Sequence, residues 1–186
     1  YIDSNSANVA EMQLFEERIN KLFIDALELQ GQLNEKIELK EVTLNANYHY
    51  RLESAPKDKR LAFFRSETIC DLISYSIGIM MGRYSLDRKG LVFAHSGNEG
   101  FDKLAAEGAY NSFSVDDDGI IPLTDQEWFL DDATNYFRDF VKTVWSRETL
   151  QDNLDFVAES LCLHAIKPKK GEDSLDTVRR YLSTQF

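Results

Sequence analysis

The chain is short of several things. It has two cysteines in 186 residues, Cys70 and Cys162, far apart and each set among apolar neighbours. That number builds no disulfide framework and points to a reducing, cytosolic setting. Neither cysteine belongs to a CxxC, and the three histidines, His49, His95 and His164, form no metal-type pair, so zinc ligation is not expected. Only three prolines occur, Pro56, Pro122 and Pro168, and no two are adjacent. Basic residues are also scarce: 21 Lys+Arg face 32 Asp+Glu, for a formal net charge of -11. A protein that coats nucleic acid by itself carries the opposite sign. The longest uncharged apolar stretch, LISYSIGIMMG at 72–82, has 11 residues where a spanning helix needs about 20. It reads as a buried core helix, and no membrane contact is expected. Its Gly78-x-x-x-Gly82 pair is expected to let another backbone pack closely. The polar start offers no secretory h-region, and the absence of an initial methionine suggests an excised or processed piece.

What is present is a folded chain: 43% of residues are apolar and 12% aromatic. At this length roughly 70% of the unfolded surface can be buried, enough for one core. The prior is a single helical domain over 1–186. The charge is unevenly spread. From His95 to Asn135 there are ten acids and one base, Lys103. That stretch, with its aspartate triplet and several glycines, reads as a long acidic loop over 95–118.

Apolar periodicity predicts about five helices and a few short strands, a mainly α fold. A first helix over 9–30 buries Met12, Phe15, Ile19, Leu22, Phe23 and Ala26. Residues 37–46 read as a strand or extended connector. A central helix over 59–84 carries Ile69, Ile73, Ile77, Met80 and Tyr84, widened by Leu72, Ile79 and Met81. Thr124-Asp125-Gln126-Glu127 has the form of a capping box, which predicts a third helix with Phe129, Ala133, Tyr136, Phe137, Phe140 and Val144 inward. Ser146 is the expected cap of a fourth, with Leu150, Leu154, Val157 and Leu161 inward. Ser174 is the expected cap of a last helix over 175–182.

Motifs that carry chemistry are weak. Ser114-x-Asp116-x-Asp118-Gly119-x-Ile121 matches the front of an EF-hand loop, but position 9 is Pro122 and position 12 is Asp125, not glutamate. A solvated acidic turn is the simpler reading. Gly97-Asn98-Glu99-Gly100 matches no phosphate loop, and its glutamate opposes anions. Ser76 lies within a helix rather than on a strained elbow, so hydrolase chemistry finds no nucleophile there. Three basic clusters are candidate DNA contacts: Lys57, Lys59, Arg60 and Arg65; Arg83, Arg88 and Lys89; Lys167, Lys169, Lys170, Arg179 and Arg180. Solvated faces are the commoner outcome for such clusters.

One stretch is more specific. LISYSIGIMMGRYSLDRKGLVFAHSGN, 72–98, resembles the BREX phage-defence adenine-specific DNA methyltransferases of the PglX type, with related segments in single-chain type II restriction–modification enzymes. The pattern is SYxxGxxxGRYSLD followed by GLxxA: Ser74, Tyr75, Gly78, Gly82, Arg83, Tyr84, Ser85, Leu86 and Asp87, then Gly90, Leu91 and Ala94. DDDGIIPLTDQEWFLDD (116–132), ETLQDNLDFVAESL (148–161), DTVRRYLSTQF (176–186) and FEERINKLFIDALELQGQL (15–33) are similar too. The likeness covers nearly the whole chain. It implies a parent enzyme that uses S-adenosylmethionine and meets DNA at full length, with phage-defence subunits as further partners.

Adenine methyltransferases use an (N/D)-P-P-(Y/F) motif to hold the flipped base. This chain has no Pro-Pro and no glycine-rich cofactor loop. The resemblance therefore implies a non-catalytic helical module, with no catalytic, cofactor-binding or metal residues, that braces or links catalytic and DNA-recognition parts. The competing reading is an acidic protein-interaction or DNA-mimic module. Gly78, Gly82, Arg83 and Tyr84 are the candidate structural or interface residues. Arg83 suits either a carboxylate or phosphate partner or the dipole of its own helix C-terminus.

Overall fold

The computed structural model describes residues 2–93, 100–116 and 119–186. It is mainly helical. The α-helices are α1 (Ile2–Ala26), α2 (Tyr48–Arg51), α3 (Arg60–Met80), α4 (Phe101–Ala106), α5 (Ala133–Trp145), α6 (Leu150–Cys162) and α7 (Ser174–Gln185). Seven are therefore described where about five are expected, the short α2 and α4 being the additions. The expected strands do not form among the described residues. Only one isolated bridge joins Gln30 and Leu33, and 37–46 is irregular apart from a 3-10 turn at Leu39–Glu41. The chain divides into two compact units, Tyr1–Phe64 and Arg65–Phe186.

The first unit is built on α1, which starts earlier than its apolar spacing predicts and ends at Ala26. The expected inner stripe is not covered. Phe15, Ile19, Leu22 and Phe23 are each 50–64% exposed. The packed side carries Val9 and Ile24 together with Gln13, Glu16, Glu17 and Asn20. These polar side chains pin the returning chain. Gln13 Nε2 donates to the Ile37 carbonyl at 2.8 Å, and Asn20 Nδ2 to that of Glu35 at 3.3 Å. Lys36 Nζ pairs with Glu17 at 2.8 Å. Backbone satisfaction has overridden hydrophobic periodicity here, because a non-repetitive segment needs partners for its carbonyls. Asn47 is the pivot. Its Nδ2 donates to the Leu39 and Val42 carbonyls at 2.6 and 2.9 Å, and its Oδ1 accepts the His49 N–H at 3.1 Å.

The second unit has an apolar core. Ile69, Ile73, Ile79 and Met80 of α3 join Phe137, Phe140 and Val141 of α5, Leu154, Val157 and Leu161 of α6, and Val178, Tyr181 and Leu182 of α7. The stripes expected on α3 and α6 are buried as their spacing requires, while Met81, Phe129 and Val144 remain exposed.

All three expected caps are corrected. Helix α5 begins at Ala133, where Asp132 accepts the Asn135 N–H at 2.9 Å. Thr124 Oγ1 instead donates to the Gln126 carbonyl at 2.6 Å. Thr149, not Ser146, precedes α6, and Ser146 has a left-handed φ of 82°. Asp173 caps α7 by accepting the Asp176 N–H at 2.7 Å, while the Ser174 hydroxyl donates to Asp155.

Candidate functional site

The candidate residues Gly78, Gly82, Arg83 and Tyr84 meet at the end of α3, which stops at Met80 rather than running on to residue 84. The Arg83 N–H bonds the Gly78 carbonyl at 2.7 Å, and the Gly82 N–H bonds that of Ile79 at 2.9 Å. This is a Schellman termination with Gly82 as its left-handed residue, φ 72°. Both glycines serve that end. At Gly78 it is a ring, not the expected backbone, that approaches: an added Cβ would lie 2.6 Å from Tyr84 Cδ2. The Tyr84 ring packs there and also against Tyr75, centroids 4.9 Å apart. At Gly82 a Cβ would meet Phe101 and Val115 at 3.1 Å.

The remaining helix-end carbonyls are satisfied by distant residues, as buried carbonyls require. The Asp116 N–H donates to Met80 O at 3.0 Å, and Tyr110 Oη to Gly82 O at 2.7 Å. Burial pushes the Tyr110 hydroxyl pKa up. The motif continues the same task. The Ser85 hydroxyl donates to the Ala109 carbonyl and accepts the Asp87 N–H at 2.8 Å. The Asp87 carboxylate accepts both the hydroxyl and the N–H of Ser112, at 2.5 and 2.8 Å. Those bonds hold its pKa below the usual carboxylate range. So SYxxGxxxGRYSLD stops a helix and fastens residues 109–116 to it. Ser85 and Asp87 stand inside the quoted motif but were not singled out; their partners lie 24 and 25 residues away, which spacing does not reveal. Arg83 is the exception. Its backbone is locked on both sides, by Gly78 O and by the Val92 N–H at 2.9 Å, and its side chain is exposed.

Five arginines of the basic clusters are engaged within the fold, while Lys57, Lys59, Arg83, Lys89, Lys167, Lys169 and Lys170 are exposed. Arg60 donates to the Ala55 carbonyl at 3.1 Å. Arg65 donates to Ser160 Oγ at 2.7 Å and lies 4.1 Å from the Phe156 ring centroid. Arg88 pairs with Glu107 at 3.2 Å. Arg180 grips Glu172 through two nitrogens, at 2.8 and 2.6 Å, which holds that carboxyl pKa low. Arg179 and Asp132 form an ion pair whose side chains are 6% and 1% exposed. Sequence reasoning missed this pair, which no local pattern signals. It fixes the segment 124–132, since Arg179 also donates to the Gln126 carbonyl at 3.4 Å. On that fixed segment Trp128 and Leu130 project into solvent, 70% and 89% exposed.

Other candidates give little chemistry. Asp116 accepts from Tyr136 Oη at 2.9 Å and from the Ile120 N–H at 3.1 Å. Asp117, Asp118 and residues 94–99, hence His95 and most of the Gly97–Gly100 stretch, lie outside the described residues. Among the described residues no cluster of acids, histidines and cysteines could hold a metal ion. Ser76 is buried and donates to the Ile73 carbonyl at 2.7 Å, so its hydroxyl is spent on its own helix. Both cysteines are free thiols. A cavity of about 80 Å³ lies beside Asn47 and Phe64, and wider open grooves of about 570 and 480 Å³ are lined by Asp125, Lys170 and Arg180 and by Tyr75, Ser85 and Asp87. No helix of the described residues is long and apolar enough to cross a membrane.

No protein-family model matches the chain. Curated relatives do. The adenine-specific methyltransferase BrxX of Escherichia coli O9:H4 (strain HS) is 58% identical over 172 residues, 92% of this chain and 14% of that protein. The adenine-specific methyltransferase PglX of Lacticaseibacillus casei (strain Zhang) is 33% identical over 178 residues, 95% of this chain and 12% of that protein. The chain is homologous to one region of these methyltransferases. It spans about one seventh of the length of the BrxX relative it matches. The BrxX/PglX-like region is thus a helical one, whose most specific sequence motif forms a helix terminus and its supporting loop.

Proposed function

We propose that this chain is a non-catalytic helical region of an adenine-specific DNA methyltransferase that braces or links the catalytic and DNA-recognition parts, in a cytosolic, phage-defence setting. One observation carries the reading: strong identity runs over 92% of the chain yet occupies 14% of the relative. The missing Pro-Pro motif supports it, because adenine-N6 chemistry needs a rigid loop to hold the flipped base. The motif geometry suits a brace as well, since Tyr84, Ser85 and Asp87 are engaged in packing the end of α3 and fastening residues 109–116 to it. S-adenosylmethionine and DNA would then be bound by other parts of the enzyme. Calorimetric titration of this chain with S-adenosylmethionine, paired with a methyl-transfer assay on adenine-containing duplex, tests the reading. No heat of binding and no transfer are expected. Saturable cofactor binding would overturn it.

A further inference from the structure

The stripe Phe15, Ile19, Leu22 and Phe23 runs along α1 at helical spacing, each residue at least half exposed. The opposite problem occurs on the packed side of the same helix, where Glu16 Oε1 is buried without a hydrogen-bond partner among the described residues. An apolar stripe on a helix ordinarily faces a packed partner, and contiguous exposed apolar patches often mark interaction sites.

Resting on the reading above, we propose that this stripe docks intramolecularly, against an apolar surface of the same methyltransferase polypeptide outside residues 1–186. Two observations select that occupant over a second copy. The stripe offers about 400 Å² of apolar surface, half of the roughly 800 Å² per partner that a stable interface buries. Two free copies meeting through it would separate readily. A surface tethered in the same chain faces it at an effective concentration on the order of millimolar, so a small area suffices. There is ample chain to supply one, since most of the BrxX relative lies outside the match.

The test uses the full-length methyltransferase carrying this region, with Phe23→p-benzoylphenylalanine, an aromatic-for-aromatic change at an exposed position. Heavy-isotope and unlabelled protein are mixed, irradiated and digested. The expected products join α1 to peptides beyond residues 1–186, both peptides from one isotope pool. The same probe at Lys21, on the far side of α1, should give about tenfold fewer such products. Mixed-isotope products would make a second copy the occupant and overturn the proposal. Absence of crosslinks from Phe23, or equal yield from Lys21, would overturn it too. Cofactor binding by the isolated chain would instead sink the parent reading, so the two failures are told apart.

Discussion

The two units solve the same problem in opposite ways. The second buries branched and aromatic side chains from α3, α5, α6 and α7 in one cluster. Its polar contacts mostly cap helices and fasten loops around that cluster. The first buries few apolar groups, chiefly Val9, Ile24, Val42, Leu52 and Phe64, and holds its irregular segment with amide and carboxylate side chains from α1 and Asn47. The difference teaches where stability resides. An apolar core gains from every methylene it removes from water. A hydrogen-bonded scaffold gains little net from each bond but loses a full desolvation cost when one is broken.

The sharpest way to break that contrast is a truncation in each unit. Phe137→Ala, at a fully buried site, should destabilise the second unit by about 3–5 kcal/mol. Both tryptophans, Trp128 and Trp145, lie in this unit, so urea unfolding followed by their fluorescence reports on it. Phe15→Ala on the exposed α1 stripe should cost under about 0.5 kcal/mol in hydrogen exchange of α1. A comparable loss from both would erase the distinction.

Next in size is Gly78→Ala. The new methyl would strike the Tyr84 ring, which already packs on Tyr75. About 1–3 kcal/mol of stability should go, again read by tryptophan fluorescence. Pairing it with Tyr84→Leu should recover part of the loss, and no recovery would show that the ring is not the obstacle.

In the first unit the vulnerable residue is polar. Asn47→Ala leaves the Leu39 and Val42 carbonyls without their side-chain donor. The expected loss is about 1–3 kcal/mol, measured by hydrogen exchange over 42–52. Tryptophan fluorescence should hardly move.

The smallest effect separates the units by pH. Burial and the nearby Arg60 charge hold the His49 pKa below its ordinary value. The unfolded chain therefore takes up that proton first, and the first unit loses stability as pH falls through the histidine range. In the second unit Asp87, Asp155 and Glu172 have lowered pKa values, through Ser112, Ser174 and Arg180 respectively. Their contribution is present above the usual carboxylate range and is lost as pH falls through it. Protection factors over 47–52, taken relative to the intrinsic exchange rate at each pH, should thus fall between about pH 7 and about pH 5, with tryptophan fluorescence level. His49→Gln should flatten the first response.

Legibility divides along the same line. The α3 and α6 stripes could be read from spacing because their apolar faces are wide and their partners are other helices. The α1 stripe was equally regular, yet it faces outward, since which face packs depends on the chain that returns beside it. Thr124 and Glu127 had the form of a helix start. Asp132 took that role because Arg179, 47 residues away, draws it into a buried ion pair. The candidate site splits likewise. Gly78 and Gly82 were visible as a motif, but not that one admits a tyrosine ring and the other turns the chain left-handed.

By itself the sequence determined a helical chain, its apolar core helices and its likeness to one enzyme class. These rest on periodicity and local motif, which are properties of neighbours along the chain. Only the tertiary structure decided where helices start, which side of α1 is covered and which cations are already paired. Those outcomes turn on contacts between residues tens of positions apart. The local negative charge behaves the same way: ten acids to one base between His95 and Asn135 are plain in the sequence. That Asp116 and Asp132 are bound to Tyr136 and Arg179 is a fact of the fold.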